Sequence, residues 1–177
     1  MRQARRAVQW AAVTAMGLMA AGPGHAVEAA TEGQEALGPY TGLALPRYVS
    51  LRASEGNARR GPGMTHRIDW VFTRREMPLR IVAEFEHWRR VEDAEGLGGW
   101  VHFALLSGVR TVLVLEDMAP LHLQADERAP VVAWLEAGVI ARLQSCVPDW
   151  CRLRADGVRG WARKDTLWGV EAEEAFD

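Results

Sequence analysis

Between positions 46 and 170 the apolar residues come in short runs cut by turn formers, and no run keeps a helical period for long. Arg47 to Leu51, Leu79 to Phe85 and Trp88 to Glu92 are such runs, and so are Val109 to Leu115, Val139 to Gln144 and Trp150 to Ala155. They predict strands of about 5–6 residues. Asp156-Gly157, between two of them, predicts a two-residue hairpin, because both central residues of a type I′ turn need positive φ. Ala94-Glu95-Gly96-Leu97-Gly98 predicts a looser turn, and the segments His102 to Ser107 and Arg163 to Trp168 are each compatible with a single helical turn. Short strands packed this densely along a chain predict small all-β barrels.

The pattern is written twice. Tyr48 to Gly108 recurs faintly as Thr111 to Gly169: Trp88-Arg89-Arg90-Val91 matches Trp150-Cys151-Arg152-Leu153, and Gly99-Trp100-Val101 matches Gly160-Trp161-Ala162. The offset is 63 residues at Ala58/Leu121, 62 at Trp88/Trp150 and 61 at Trp100/Trp161, which two single-residue deletions explain. A period of about 60 residues is too long for a solenoid unit and suits a small domain copied once. The organisation predicted is a leader at 1–26, a flexible linker at 27–45, a first barrel at 46–108, a second at 109–170 and an acidic tail at 171–177.

Arg2, Arg5 and Arg6 precede the apolar stretch Ala7 to Ala21, and Gly24-His25-Ala26 has the small residues of a signal-peptidase site. This reads as a signal peptide cut after Ala26; the alternative, a retained anchor, needs about 20 apolar residues, more than this stretch supplies. Export implies a periplasmic or secreted protein that meets the membrane only through its leader. The linker lacks periodicity and is broken by Gly38-Pro39 and Gly42, so it is expected to be mobile, as is the tail. Without the leader the chain has 18 basic and 23 acidic side chains, which gives no footprint for nucleic acid. Eight arginines nevertheless lie between Arg47 and Arg80 against Glu55, Asp69 and Glu76. They predict either a locally basic face that steers anionic ligands or ordinary solvated strand residues.

Cys146 and Cys151 are the two cysteines, and their counterparts in the first copy are Glu84 and Arg89. An acid and a base at the matching positions suggest two sites facing each other across a hairpin, where an ion pair or a disulfide can join the strands. A structural disulfide is favoured over metal binding, since no His-x-x-x-His or second cysteine pair completes a zinc site, and over redox chemistry, which prefers Cys-x-x-Cys. No nucleophile elbow, Walker loop or His-Glu-x-x-His motif occurs, so neither an enzyme nor a cofactor or metal site is expected. Of the seven tryptophans outside the leader, Trp100 and Trp161 are expected to fill the barrels, while Trp88 and Trp150 are expected to lie partly exposed at hairpin exits.

Asn57-Ala58-Arg59-Arg60-Gly61-Pro62-Gly63, an aromatic-rich strand, Trp88-x-x-Val91 and Gly99-Trp100-Val101 together resemble the bacterial SH3-like (SH3b) domain. The second copy departs from the pattern, with Pro120-Leu121-His122-Leu123-Gln124-Ala125-Asp126 in place of the glycine-proline turn. The resemblance implies two SH3-like barrels in tandem and a non-enzymatic envelope protein that binds cell-wall peptide or a related envelope ligand. Arg59 and Arg60 would pair with carboxylates, and Trp70, Phe72 and Trp88 would supply apolar contacts. Two other readings use the same barrels: a module gripping an extended segment of an envelope protein, and a structural tandem with no ligand.

Overall fold

The computed structural model describes residues 36–177; the expected leader at 1–26 and the first part of the expected linker lie outside them. The described residues are all-β, with two seven-stranded sheets and one small hairpin. That hairpin is β1 (Ala36–Leu37) with β2 (Ala44–Leu45). The first sheet is built from β3 (Arg47–Leu51), β4 (Gly56–Arg59), β5 (Ile68–Phe72), β6 (Pro78–Phe85), β7 (Trp88–Glu92), β8 (Gly98–His102) and β9 (Leu106–Ser107). The second has β10 (Thr111–Val114), β11 (Ala119–His122), β12 (Val131–Leu135), β13 (Ile140–Cys146), β14 (Trp150–Ala155), β15 (Val158–Arg163) and β16 (Leu167–Trp168). Their orders, β5-β4-β8-β7-β6-β3-β9 and β12-β11-β15-β14-β13-β10-β16, are the same path taken twice.

The register repeats as closely as the topology. Arg59 pairs with Trp100 and His122 with Trp161; the β6–β7 register slips between Ile81 and Ala83, the β13–β14 register between Leu143 and Ser145. The second deletion falls in the turn before β8 and β15. In the first copy the Asp93 carboxylate holds a five-residue turn by accepting from the amides of Glu95 and Leu97, at 3.0 and 2.8 Å. In the second, Asp156 and Gly157 turn the chain alone, with φ of 44° and 87°, as their residue types predict. Each copy then makes a 3-10 turn, at Phe103–Leu105 and Lys164–Thr166. The glycine of the Gly-Trp pair permits a close strand approach: a Cβ on Gly99 would lie 2.6 Å from the Arg59 carbonyl oxygen.

Each sheet encloses its own core, Leu51, Ala58, Phe72, Leu79, Ile81, Val91, Val101 and Leu106 in the first, and Val114, Leu121, Leu135, Leu153 and Leu167 with their neighbours in the second. Ala58 with Phe72 becomes Leu121 with Leu135, so a large–small pair is exchanged for two of middle size, which conserves filled volume. No tryptophan belongs to either cluster. Trp100 and Trp161, expected as fillers, are half-buried at the rims, whereas Trp88 and Trp150, expected to be partly exposed, are buried against the rings of His102 and His122. The cores are small enough to be filled by aliphatic residues, and the bulky indoles cap them instead.

The two sheets are tied together. Thr111 Oγ1 donates to the Glu76 carbonyl at 2.7 Å, Arg74 Nη2 donates to the Gly138 carbonyl at 2.7 Å, Arg142 forms an ion pair with Glu76, and Tyr48 meets Trp168 edge-on at 5.3 Å. The close joining follows from the two residues between Gly108 and Thr111, too few to act as a tether.

Two segments expected to be mobile, the described 36–45 part of the linker and the tail, are bound. In the first sheet the Glu84 carboxylate accepts from the amides of Tyr40 (3.2 Å) and Thr41 (3.0 Å), from Thr41 Oγ1 (2.7 Å) and from Arg47 Nη2 (2.6 Å), which docks the β1–β2 hairpin. In the second sheet Cys146 stands in the place of Glu84, and its backbone exchanges two hydrogen bonds with Phe176 at 2.8 and 3.0 Å. Glu174 takes a two-pronged bond from Arg110, and Lys164 Nζ donates to the carbonyls of Ala172 and Glu174. One strand position in each copy thus receives a flanking segment, the 36–45 hairpin in the first and the tail in the second.

Cys146 and Cys151 are cross-strand partners and form a disulfide, at the positions where Glu84 and Arg89 face each other in the first copy. Closing so short a loop is worth about 2 kcal/mol on the chain-entropy model. Denaturant unfolding with and without reductant is expected to differ by about that amount, and reduction is expected to speed amide exchange at Phe176. Equal stability in the two conditions would contradict a stabilising bond.

Candidate functional site

The arginine turn is a closed loop. Beyond β4 the chain reverses through Gly61-Pro62-Gly63, and the Arg60 amide donates to the Arg67 carbonyl at 2.9 Å across its base. Neither glycine has the positive φ that its residue type would allow; a Cβ on Gly61 would come within 2.7 Å of the exposed His66 ring, which would have to swing aside. Arg59 Nη1 donates to the His66 carbonyl at 2.7 Å, and its other guanidinium donors have no hydrogen bond among the described residues. Arg60 and Arg67 share one carboxylate, Asp69, at 2.9 and 2.6 Å, and their hydrogen bonds hold its carboxyl below the usual range. Residues 59–69 carry three arginines against one aspartate, and the Arg60 and Arg67 side chains are 65% and 69% exposed.

The apolar contacts expected beside this turn separate into two groups. Trp70 shares a strand face with Phe72 but stands one step nearer the rim and is 40% exposed. Phe72 is 2% exposed and belongs to the core, so its expected role as a ligand contact is corrected: it lies at the end of β5 that packs into the cluster of Leu51, Leu79, Ile81 and Val91. Trp88 is also buried, at 8% exposure, and can offer a ligand little more than an edge.

The second copy has the opposite charge at the same place. Residues 122–132 carry Asp126 and Glu127 against Arg128. A cavity of about 290 Å³ lies there, with His122 and Trp150 on its wall and Glu116, Glu127 and Asp165 around Arg163. Arg163 bridges Glu127 (3.2 Å) and Asp165 (2.9 Å) and lies 5.8 Å from the centre of the Trp150 ring. His122 Nδ1 is 2.9 Å from the Ala129 carbonyl, which fixes the ring where Arg59 stands in the first copy.

A third site was not visible in the sequence. Tyr40, Glu86, His87, Arg89 and Phe103 line a pocket of about 410 Å³ on the first sheet. Glu86 and His87 form the turn between β6 and β7, Phe103 opens the 3-10 turn after β8, and Tyr40 is brought by the docked hairpin. The rings of His87 and His102 stand 5.6 and 4.9 Å from Phe103, and Tyr40 meets Phe85 at 5.9 Å. The available signal was unequal aromatic content between the copies, since Phe85, His87 and Phe103 align with Val147, Asp149 and Lys164. Among the described residues no group of three or more His, Cys, Asp or Glu is placed to hold a metal ion.

A family model described as bacterial SH3 domain matches residues 52–108 and, again, 116–169. No curated protein matches the chain. Among solved structures it is similar to NlpC2 from Trichomonas vaginalis, at 12% identity over 70% of this chain and 48% of that one, with a TM-score of 0.33. NlpC1 from the same organism is similar at 12% identity over 74% and 48%, with the same TM-score of 0.33. The chain spans about half the length of these two structures.

Proposed function

Because the chain belongs to the bacterial SH3 domain family, with one module at 52–108 and another at 116–169, we propose that it is a non-enzymatic binding protein of the bacterial envelope. It is exported by its leader and binds carboxylate-bearing cell-wall peptide through the first module. The observation that carries this reading is the exposed turn that holds three arginines against one aspartate, which pairs with two of them. Planar guanidinium groups pair with carboxylates two bonds at a time, and the excess cation attracts such a ligand before contact. Trp70, exposed on the adjacent strand, offers an apolar face to the aliphatic part of the peptide.

Sedimentation with purified sacculi tests it. The unmodified protein is expected to co-sediment, and the double variant Arg59→Ala/Arg60→Ala is expected to lose roughly tenfold or more in apparent affinity, since each lost charge-assisted pair is worth on the order of 1.5 kcal/mol. Equal retention of both proteins would refute the assignment.

A second reading draws on β12, an edge strand with Val131 38%, Val132 41% and Trp134 56% exposed. An uncharged apolar edge is suited to adding a strand from a protein partner. Failure of the unmodified protein to bind sacculi, with capture of a defined envelope protein that protects β12 amides, would favour that reading.

A further inference from the structure

We propose that the first module carries a saccharide-binding site, separate from the arginine turn, in the pocket between Tyr40, Phe103, His87, Glu86 and Arg89. The second copy serves as an internal control on what the barrel itself requires. Phe85, His87 and Phe103 become Val147, Asp149 and Lys164 there, on the same strand path and with the same 3-10 turn. The fold is therefore complete without aromatic side chains at these places. In the first copy Phe85 and Phe103 are still 43% and 48% exposed, beside Tyr40 at 51%, and together they leave a clustered apolar surface open to a ligand.

The polar groups of the pocket decide what that ligand is. Arg89 is almost buried; its Nη1 donates to the carbonyls of Glu86 and Trp88 at 2.8 and 2.9 Å, and its Nε faces the Glu84 carboxylate at 3.5 Å. Nη2 has no hydrogen bond to any described residue, and the guanidinium lies 6.0 Å from the centre of the Phe103 ring in the pocket wall. The Glu86 carboxylate makes no ion pair among the described residues. A base and an acid, Arg89 and Glu86, therefore border the same space. A cation meets the field of Arg89 and an anion that of Glu86, so net charge on the ligand is not rewarded. A neutral ring with apolar C–H faces and hydroxyl edges satisfies every group at once: the faces lie on the rings of Tyr40 and Phe103, one hydroxyl donates to Glu86, and another accepts from Arg89. The volume of about 410 Å³ lies within the range of small-molecule sites, roughly 300–1,000 Å³. Tyr40 is held in place by the bonds its own amide and that of Thr41 make to Glu84, so one wall is fixed before the ligand arrives.

The site is independent of the peptide reading, and the experiment keeps the two apart. Tri-N-acetylchitotriose and maltotriose are titrated into the protein, with the carboxylate peptide Ala-Glu-Lys-Ala as comparator, and ring resonances of Tyr40, His87 and Phe103 are followed by NMR. At least one saccharide is expected to shift these resonances at millimolar concentration. Phe103→Lys, which installs the second copy's residue at an exposed position, is expected to weaken that saccharide at least tenfold with an unchanged melting temperature. Arg59→Ala/Arg60→Ala is expected to leave it within twofold. Shifts produced by the peptide alone, no ring shifts with either saccharide, or full saccharide affinity in Phe103→Lys would each overturn the proposal. Loss of sacculus binding in the arginine variant bears only on the peptide reading.

Discussion

Replacing Phe72 by alanine is expected to destabilise the protein by roughly 4 kcal/mol, the usual cost of emptying a phenylalanine site in a close-packed core. Phe72 is 2% exposed and touches the cluster formed by Leu51, Leu79, Ile81 and Val91. Its neighbour in that core is Ala58, not the leucine that fills the matching place in the second copy, so little side chain is at hand to move into the void. Denaturant unfolding followed by tryptophan fluorescence measures the loss, and Phe72→Leu, which copies Leu135, is expected to recover much of it. A Phe72→Ala protein with native stability and weakened ligand binding would contradict the core assignment and return this residue to the binding surface.

Glu84→Gln is expected to cost about 3 kcal/mol, because breaking a buried pair leaves the remaining charge uncompensated. The Glu84 side chain is fully enclosed and serves Arg47, Arg89 and the hairpin amides together. Glutamine keeps the shape but leaves Arg89, at 9% side-chain exposure, beside a neutral amide. Hydrogen exchange is expected to quicken across Ala36–Leu45 as the hairpin loosens. Burial pushes the Glu84 carboxyl up, yet the bonds from Thr41, Arg47 and the Tyr40 amide outweigh it and bring the value down to about 2 from an ordinary 4.5. A depressed carboxylate contributes stability that is complete above the unfolded-state value and is lost as pH falls toward the folded-state one. The difference in stability between wild type and Glu84→Gln should therefore shrink as pH drops from about 4.5 to about 2. A difference that stays constant through that window would exclude Glu84 as the titrating group.

The unequal surfaces of the two modules follow from duplication on one scaffold. A copied barrel keeps the positions that face inward, since each must fill the same volume, while its turns are free to diverge. The arginine turn and its acidic counterpart, and the aromatic pocket and the place where Lys164 holds the tail, are divergences of that kind. Even the anchoring of the flanking segments, the 36–45 hairpin and the tail, has been solved twice at one position, by a carboxylate at Glu84 and by backbone pairing at Cys146.

What the amino-acid sequence determined by itself was the local and the repeated. Short apolar runs set the strands Arg47–Leu51, Trp88–Glu92 and Trp150–Ala155, Asp156-Gly157 set a turn that needs positive φ, and the offset between copies placed Cys146 opposite Cys151 and Glu84 opposite Arg89. These depend on neighbours along the chain or on comparison of two copies. Only the tertiary structure decided the fate of the 36–45 hairpin, the tail, the tryptophans and the pocket. The hairpin is fixed by a carboxylate 43 and 44 residues away, and the tail by an arginine 64 residues away, bonds between segments with no pattern of their own. A strand tryptophan has the same sequence signature whether it fills a barrel or caps it, and the choice turns on the volume that aliphatic neighbours leave open. The pocket joins Tyr40 to Phe103 across folded space, where the arrangement of strands, not their spelling, sets who meets whom.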